Sequence, residues 1–381
     1  METAGAETVE VHADVALLTP AGLKKEALHA TVKVAPAASE GPAAAGKVHL
    51  HAWCEEGYAL SPEAKEGPAS MERAIADAAK GGIGVLIVDA KSSHGVFFKS
   101  QIAPAEQQAK WDHIAAAVAS GKGHGVKIYA DWILGIMPDD DAKRHPDWIM
   151  LDASLKPAGW YCYMNPDVRA YQISLLKELA TNYDIDGVTL DFCRPGGGCF
   201  CERCQKLFEE KFHKPLKGID PYDPDWTRWQ REAITDYMRQ LAAAARQARP
   251  KVKFGGYVWS RLAPDKDRAD QDFPLWLKEG TFDFAYVGDY HSSLPFFRAV
   301  CRVCAVLADA NGIGRDRIIP NLGVGYIQQG YGHHEVNDAM LARELAIVSE
   351  EGFSQAGLFT FSNSRVHLET LKAHSADESL H

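Results

Sequence analysis

Short apolar runs and longer amphipathic stretches alternate along most of this chain. The runs are apolar through their middles, which is typical of parallel strands buried on both faces of a sheet. The stretches between them carry the pattern of helices that cover such a sheet. The predicted strands cover residues 47–53, 83–90, 126–133, 187–192, 252–259, 282–290, 317–325 and 356–362, and the predicted helices 71–80, 106–120, 168–181, 226–249, 294–310 and 336–351.

Eight strands that alternate with helices predict an α/β fold, a (β/α)8 TIM barrel that covers residues 47–372. Residues 1–46 do not follow this alternation of strands and helices. They are predicted to form a short β-like appended segment followed by a linker of small residues. Residues 373–381 are expected to be a C-terminal tail. The connection after the fourth strand is a long insertion, and long loops at that end of a barrel usually build the rim of an active site.

Composition and charge narrow the class of partner. The 381 residues carry a net charge of -10, with 46% hydrophobic and 24% charged residues, which are ordinary values for a globular chain. An acidic chain lacks the basic excess that binding to a polyanion needs, so nucleic acid is not expected as a partner. No organic cofactor is expected either, and the oligomeric state stays open. No apolar run is long enough to span a membrane, and no signal peptide is recognisable. The chain as written is expected to be cytoplasmic, although a trimmed exported protein would look identical.

Carboxylates, amides and aromatic rings follow the predicted strands at the ends that face the pocket of a barrel. This mixture favours a carbohydrate substrate, because rings stack on sugar faces while polar groups bond the hydroxyls. The candidate substrate-binding residues are His51, Trp53, Lys91, Asp131, Trp132, Arg194, Tyr257, Trp259, His291 and Asn321, with Trp53, Trp132, Tyr257 and Trp259 as the stacking platform.

Glycosidic bond cleavage needs one carboxylic acid to protonate the leaving oxygen and one carboxylate as nucleophile or water-activating base. Asp191 emerges where the fourth apolar run stops, and it is the candidate nucleophile or base. The alternative for Asp191 is a structural salt bridge with Arg194. Asp289, at the end of the sixth strand, is the provisional general acid, and its substitutes are Glu55, Asp89 and Asp131.

A series of motifs between residues 131 and 212 resembles the bacterial family-ten-like glycosyl hydrolases. The motifs are HPDWIMLDA (145–153), WYCYMNPDVRAYQ (160–172), YDIDGVTLDFCRP (183–195) and CFCERCQKLFEEKF (199–212), with VDAKSSHG (88–95) as a weaker match. The resemblance implies a TIM-barrel hydrolase that acts on glycans, but it does not identify the substrate. It does not extend to the first forty-six residues. The sixth strand departs from the family pattern, since it reads YVGDYH where such proteins more often end in apolar-Asp-Tyr or Met-x-Tyr.

Clustered cysteines predict a structural metal site. Cys199, Cys201 and Cys204 are close enough in sequence to bind one ion, and tetrahedral Zn²⁺ needs a fourth ligand. Cys162 is the preferred fourth ligand and Cys193 the alternative; one earlier cysteine plus C-x-C-x-x-C is similar to the structural zinc site of a zinc-bearing β-galactosidase family. Four thiolates leave no open position, so the ion would brace the loop without catalysing. Reduced packed thiols and disulfides are the other interpretations.

Two other functions fit parts of the sequence. His49-Leu50-His51 has the H-x-H pattern of a metal-dependent amidohydrolase, but such sites also need histidines on strands five and six and an aspartate on strand eight. Strand five offers Tyr257 and Trp259 instead. A barrel that binds glycans without cleaving them is the second alternative, because the second carboxylate is not fixed by the sequence.

Overall fold

The computed structural model describes residues 7–19, 22–34, 46–54, 67–260, 270–288, 290, 293–324 and 336–376, the first two ranges by their backbone alone. The chain divides into two compact units, Met1–Ala45 and Gly46–His381. In the first unit, strands β1 (Glu7–Thr19) and β2 (Gly22–Val34) form an antiparallel hairpin. The division into appended segment, barrel and tail stays a prediction.

Eight parallel strands of the second unit close into a barrel, since the last strand pairs with the first as well as with its own predecessor. The TIM barrel prediction is thereby confirmed. The barrel strands are β3 (His49–Cys54), β4 (Ile83–Ser92), β6 (Lys127–Ile133), β9 (Gly187–Asp191), β10 (Lys253–Trp259), β11 (Phe284–Gly288), β12 (Ile318–Gly323) and β13 (Gln355–Phe359), and the short strands of the loops are β5 (Gly95–Val96), β7 (Ile149–Leu151) and β8 (Pro157–Tyr161).

Helices follow the barrel strands along the chain. They are α1 (Pro68–Lys80), α2 (His113–His124), α3 (Asp139–Arg144), α4 (Pro166–Asn182), α5 (Glu202–Phe212), α6 (Pro224–Ala248), α7 (Phe273–Lys278), α8 (Leu294–Asn311), α9 (Asp338–Glu350), α10 (Phe361–Ser364) and α11 (Leu368–His374). Their starts have ordinary chemical causes: Asn165 accepts from the Asp167 N–H to cap α4, which then begins with Pro166.

One predicted helix began at the wrong residue. The pattern predicted a helix from residue 106, whereas α2 begins at His113 because the Asp112 side chain caps it by accepting from the Ala115 N–H. The preceding residues turn away as a short 3-10 helix, Ala105–Gln107. In addition, α5 lies in the long insertion and was not predicted; it buries Cys204 and Phe208, one turn apart, on one face.

Successive side chains of each barrel strand point to opposite faces, and they form two separate apolar layers. On β6, Ile128 and Ala130 join the large cluster that packs between the strands and the helices. Tyr129 belongs instead to a smaller, aromatic cluster with Trp53 and Tyr286, which fills the inside of the barrel. Side chains near the carboxyl ends of the strands on this inner face are therefore the ones that can reach a pocket.

The described part of the chain beyond the last barrel strand returns to the first one. Helix α11 ends at His374, whose carbonyl accepts from the Val48 N–H at 3.0 Å. The Ala376 N–H in turn donates to the Val48 carbonyl at 2.9 Å. Residues 373–376, which the sequence assigned to a tail, thus pair with the chain just before β3.

Candidate active site

Three aspartates lie at the carboxyl ends of three neighbouring strands. Asp89 of β4 pairs in register with Asp131 of β6, and Asp131 pairs with Thr189 of β9. Asp191 therefore stands two residues beyond the Asp131 level, which is about 6–7 Å further along the strand direction. The arrangement puts Asp191 uppermost, with the other two carboxyl groups deeper in the barrel.

Asp191 is half-buried, and its Oδ1 accepts a hydrogen bond from the Phe192 backbone N–H at 2.6 Å. Burial raises the pKa of this carboxyl group, while the charge of Arg194 and the bond from Phe192 oppose the rise. Phe192 takes the left-handed conformation, with φ 51°, so the chain turns sharply directly after the aspartate. Asp191 is thus held at a turn and keeps part of its surface open.

Arg194 lies among aromatic rings beside Asp191. Its guanidinium carbon is 4.4 Å from the ring centroid of Phe192, 4.6 Å from that of Trp259 and 5.7 Å from that of Trp160. Such cation–π contacts fix the position of the charge without requiring a carboxylate partner. Arg194 therefore acts on Asp191 through its electric field, and the structure favours this over the structural salt bridge considered as an alternative.

Asp131 is 3% exposed, and its Oδ1 has no hydrogen-bond partner among the described residues. Burial raises the pKa of this carboxyl group well above its ordinary value, and the neighbouring charges of Asp191 and Asp89 raise it further. This setting favours the protonated form of Asp131, and Asp191, which is half-buried, is the more exposed carboxyl group of the pair.

His51 lies deeper still, paired with Val85, four residues before Asp89 on β4. Its Nδ1 is 2.6 Å from the Tyr286 hydroxyl, and burial lowers the pKa of the imidazole to about 3. The ring is neutral and packs edge-on against Tyr286. His51 was predicted to bind substrate, but in this setting it fills the inside of the barrel below the aspartates. His49, at the beginning of the same strand, lies further from the pocket end.

Aromatic rings form one wall of the site. Tyr290 stacks between Tyr257, at 5.7 Å, and Phe359, at 5.1 Å, as measured between ring centroids. Asn321 holds it in place, since its Nδ2 donates to the Tyr290 hydroxyl at 2.9 Å. Trp53 packs edge-on against Tyr257 from within the barrel. Tyr290 and Phe359 are half-buried and belong to the wall, although the sequence argument did not single them out.

Two of the predicted binding residues lie elsewhere. Trp132 is completely buried on the outer side of the barrel, where its indole N–H donates to Gln172 Oε1 at 3.0 Å. Lys91 lies on the same side, because a β-bulge shifts the register between Asp89 and Lys91. Its Nζ donates to the Ile133 carbonyl at 2.9 Å, and burial lowers its pKa to about 8. Neither side chain reaches the pocket, so the assignment of Trp132 to the stacking platform and of Lys91 to the substrate site is wrong.

Other predicted residues either stand in the site or lie outside the described residues. Trp259 is half-buried beside Arg194, whereas Trp53 and Tyr257 are 4% and 7% exposed and support the wall from below. Asp289, His291 and Glu55 lie outside the described residues. The residues that sequence reasoning missed are Tyr286, Tyr290 and Phe359; the alternation Phe284, Tyr286, Gly288 in β11 would have placed Tyr286 on the inner face.

The cysteine cluster forms a second, separate centre. The four ligand sulfur atoms of Cys162, Cys199, Cys201 and Cys204 lie within 4.8 Å of one another. Cys162 Sγ is 3.9 Å from Cys201 Sγ and 3.6 Å from Cys204 Sγ, which is too long for a disulfide. The arrangement is that of a site able to bind a metal ion, with the set of four that the sequence predicted.

Loops from two parts of the barrel meet at this cluster. Cys162 follows β8, and its N–H donates to the Trp148 carbonyl; Cys201 is the residue directly before α5. Around the sulfur atoms, Phe208 and Trp226 belong to an apolar cluster separate from the main core. Hydrogen bonds from Cys162 and the other two thiols lower the pKa of Cys201, which favours a thiolate there.

Cys193, the alternative ligand, points elsewhere. Its thiol donates to the Tyr257 carbonyl at 3.3 Å, and burial raises its pKa to about 12. Within the described part of the chain, the group of side chains able to hold a metal consists of the four cysteines, and His49 and His51 do not belong to it. The amidohydrolase interpretation therefore has no support in the described site.

An eight-stranded barrel with carboxylates and an aromatic wall at the strand ends is the architecture of TIM-barrel glycoside hydrolases. The chain belongs to the glycosyl hydrolase-like 10 family, whose sequence profile matches residues 68–316. This finding confirms the resemblance and the glycoside hydrolase class, while the specific activity stays open. No curated protein matches the chain.

Solved structures of glycoside hydrolases share the fold. The glycoside hydrolase domain of PgaB (BpsB) from Bordetella bronchiseptica is 14% identical, with a TM-score of 0.68 over 87% of this chain and 100% of that one. A β-galactosidase from Rahnella sp. R3 is 13% identical, with a TM-score of 0.67 over 86% of this chain and 56% of the enzyme. α-L-Fucosidase isoenzyme 2 from Paenibacillus thiaminolyticus is 16% identical, with a TM-score of 0.61 over 86% of this chain and 48% of the enzyme.

At these identities the likeness shows the fold alone. The chain spans about half the length of the β-galactosidase and the fucosidase. Among the described helices, none is both long and apolar enough to cross a membrane.

Proposed function

We propose that this protein hydrolyses O-glycosidic bonds in an oligosaccharide or polysaccharide by a two-carboxylate mechanism. The observation that carries the proposal is Asp191, which is partly open at a strand end and fixed by a backbone bond. Arg194 stands beside it, and a neutral Asp131 lies below it. These neighbours favour an ionised Asp191, the state that a nucleophile or a water-activating base requires.

The second carboxyl group in this proposal is Asp289, the general acid. Its neighbours support the assignment: Gly288 pairs with Trp259 at the end of β10, and Tyr290 belongs to the aromatic wall. Asp289, which the structure does not describe, comes between these two residues in the sequence. Among the substitutes, Asp131 is too deeply buried to touch a leaving oxygen, and its role would be to stay protonated under Asp191.

The aromatic wall and its rim would hold the sugar. Trp259 and Tyr290 offer partly open ring faces, and Asn321 fixes the hydroxyl of Tyr290. Ring faces that stack on a pyranose and a guanidinium that bonds hydroxyl groups are what a neutral carbohydrate needs. Arg194 would serve both the substrate and the charge of Asp191.

The cysteine site is proposed to bind Zn²⁺. Zn–S bonds of about 2.3 Å in a tetrahedron separate the sulfur atoms by about 3.8 Å. The distances of 3.9 Å and 3.6 Å from Cys162 to Cys201 and Cys204 agree with that separation. With four thiolates the ion would have no position left for a substrate, so its role would be to hold the loops of the rim.

A glycan panel tests the hydrolase proposal. Purified protein would be incubated with di- and hexasaccharides of the cello-, chito-, malto- and β-1,4-galacto- series, and new reducing ends would be measured. Release from at least one series is expected. Binding without release would favour the glycan-binding barrel, and hydrolysis of amides that depends on added zinc would favour the amidohydrolase; either result would contradict the proposal.

A further inference from the structure

A second cavity lies beside the cysteine centre, away from the inside of the barrel. Its volume is about 450 Å³, within the range of sites that hold small ligands. One wall is the Gly196–Gly198 loop that follows Asp191 and Arg194, another is the beginning of α6, and a third is the β7–β8 hairpin. The cavity is therefore built from loops that also form the rim of the candidate active site.

Polar side chains line this space. Gln230, which is 8% exposed, is one of them. Arg231 and Asp270 add a cation and a carboxylate, with Arg231 Nε 3.6 Å from Asp270 Oδ1. Together these groups provide the donors and acceptors that recognise sugar hydroxyl groups.

An aromatic ring stands at the edge of the same cavity. Tyr222 lines it and is 73% exposed, so its ring face is open to a ligand. Trp226 also lines the cavity and is 3% exposed. The lining backbone at Gly196, Gly197 and Gly198 has positive φ at all three residues, so the chain approaches the cavity without side chains there.

One side chain links the loop of the cavity to the active-site rim. A side chain at Gly196 would collide with the ring of Trp160, so the loop lies directly against that indole. The centroid of the same ring is 5.7 Å from the guanidinium carbon of Arg194, which stands beside Asp191. Asp191 and the cavity thus occupy the two ends of one short segment, residues 191–198.

We infer that this cavity is a distal subsite that binds a further sugar unit of a neutral oligosaccharide whose scissile bond lies at Asp191. The inference rests on the proposed function for its substrate class. The guanidinium of Arg231 would donate to hydroxyl groups of the distal unit, and Tyr222 would stack on its face. Short substrates would not reach the cavity, so the subsite would contribute only to the binding of longer chains.

Binding measurements separate this inference from the hydrolase proposal. In an Asp191→Asn background, which prevents turnover, the dissociation constants of the hexasaccharides and disaccharides of the four series would be measured by calorimetry. Adding Tyr222→Ala should weaken hexasaccharide binding about tenfold and leave disaccharide binding unchanged. Arg231→Met should act in the same direction, while Tyr222→Phe, which keeps the ring, and Val366→Ala, at a side chain 78% exposed elsewhere, should change little.

Several outcomes would overturn the subsite. These are hexasaccharide binding that is unaffected by Tyr222→Ala and Arg231→Met, an equal loss for both chain lengths, or the absence of binding by any hexasaccharide. If the ring-dependent binding is found but the wild-type protein releases no reducing ends, the subsite stands and the hydrolase proposal fails. If reducing ends are released and both variants bind normally, the hydrolase proposal stands and the subsite fails.

Discussion

At the scale of single residues, the surroundings of Asp191 differ from those of an ordinary surface aspartate. Its Oδ1 accepts from a backbone N–H, and burial raises the pKa of the carboxyl group while the charge of Arg194, which lies over aromatic rings, opposes that rise. If Arg194 formed a direct ion pair with Asp191, neither its guanidinium nor the carboxyl group would be available to a ligand. Here both groups keep surface that a substrate can contact.

A buried glutamate far from the sequence motifs gives a prediction on stability. Glu344, on α9, is 3% exposed, and burial raises its pKa from 4.5 to about 8. Between those two values the folded protein keeps a proton that the unfolded chain has lost, so stability falls as pH rises through this window. Glu344→Gln removes the effect, and it should raise the free energy of unfolding by about 2–4 kcal/mol at pH 8 but little at pH 4.5.

Urea unfolding at both pH values measures this difference. Glu210→Gln, at a side chain 61% exposed on α5, is the matched control and should change neither value. A gain from Glu344→Gln that is the same at both pH values would show that Glu344 is not protonated in the folded protein.

Prediction of single residues worked for side chains at the very end of a strand. It failed where the alternation along the strand determines which face of the sheet a side chain lies on. Asp131 and Trp132 are adjacent, so only one of them can face the inside of the barrel. Assigning both to the pocket ignored that constraint. The case of Lys91 is different, because the bulge that turns it outward depends on the pairing of β4 with β6, which the sequence of β4 does not reveal.

At the scale of elements, the cysteine centre joins parts of the chain that the barrel does not hold directly. Cys162 comes after the β7–β8 hairpin that follows β6, and the other three cysteines come from the insertion that follows β9. Phe200 adds a backbone bond from its N–H to the Leu151 carbonyl. A metal ion here would fix the rim that carries both Arg194 and the distal cavity.

Replacing one ligand of this centre should change metal content and stability together. Cys201→Ser leaves three thiolates, and we expect the bound zinc to fall to well below one equivalent and the midpoint of thermal unfolding to drop by about 5–10 °C. Elemental analysis and calorimetry would be performed on the same samples. Cys304→Ala, at a buried thiol of α8, is the control, since it should lower stability and leave metal content unchanged. Equal metal content in wild type and Cys201→Ser would contradict a four-cysteine zinc site.

Helices and strands could be predicted where the hydrophobic pattern within the element itself is sufficient to identify it. All eight barrel strands are apolar through their middles, and each was placed within a few residues of its position. Helices α5 and α7 were missed because each is short and lies in a loop region, where its apolar face packs on neighbours that only the tertiary fold supplies. The start of α2 depended on a single capping side chain, Asp112.

At the scale of the whole molecule, the fold followed from the number and order of the strands, whereas the site required the closing of the barrel. About a hundred residues of sequence separate Asp89 from Asp191, with Asp131 between them. The three lie close together because β4, β6 and β9 are neighbours in the sheet. Tyr290 joins Tyr257 and Phe359 from three separate strand ends. No local motif contains that wall, and the distal cavity likewise exists only between loops.

The central claim is that Asp191 performs the chemistry of a glycosidase, and turnover by an Asp191→Asn variant tests it most directly. On the oligosaccharide that the wild type cleaves best, the substitution should lower kcat/KM by at least about a thousandfold, because a neutral amide can be neither nucleophile nor base. Hexasaccharide binding and thermal stability should be unchanged, and Asp139→Asn, at an exposed aspartate of α3, should keep full activity. An Asp191→Asn variant that retains reducing-end release within about tenfold of the wild type would contradict the account.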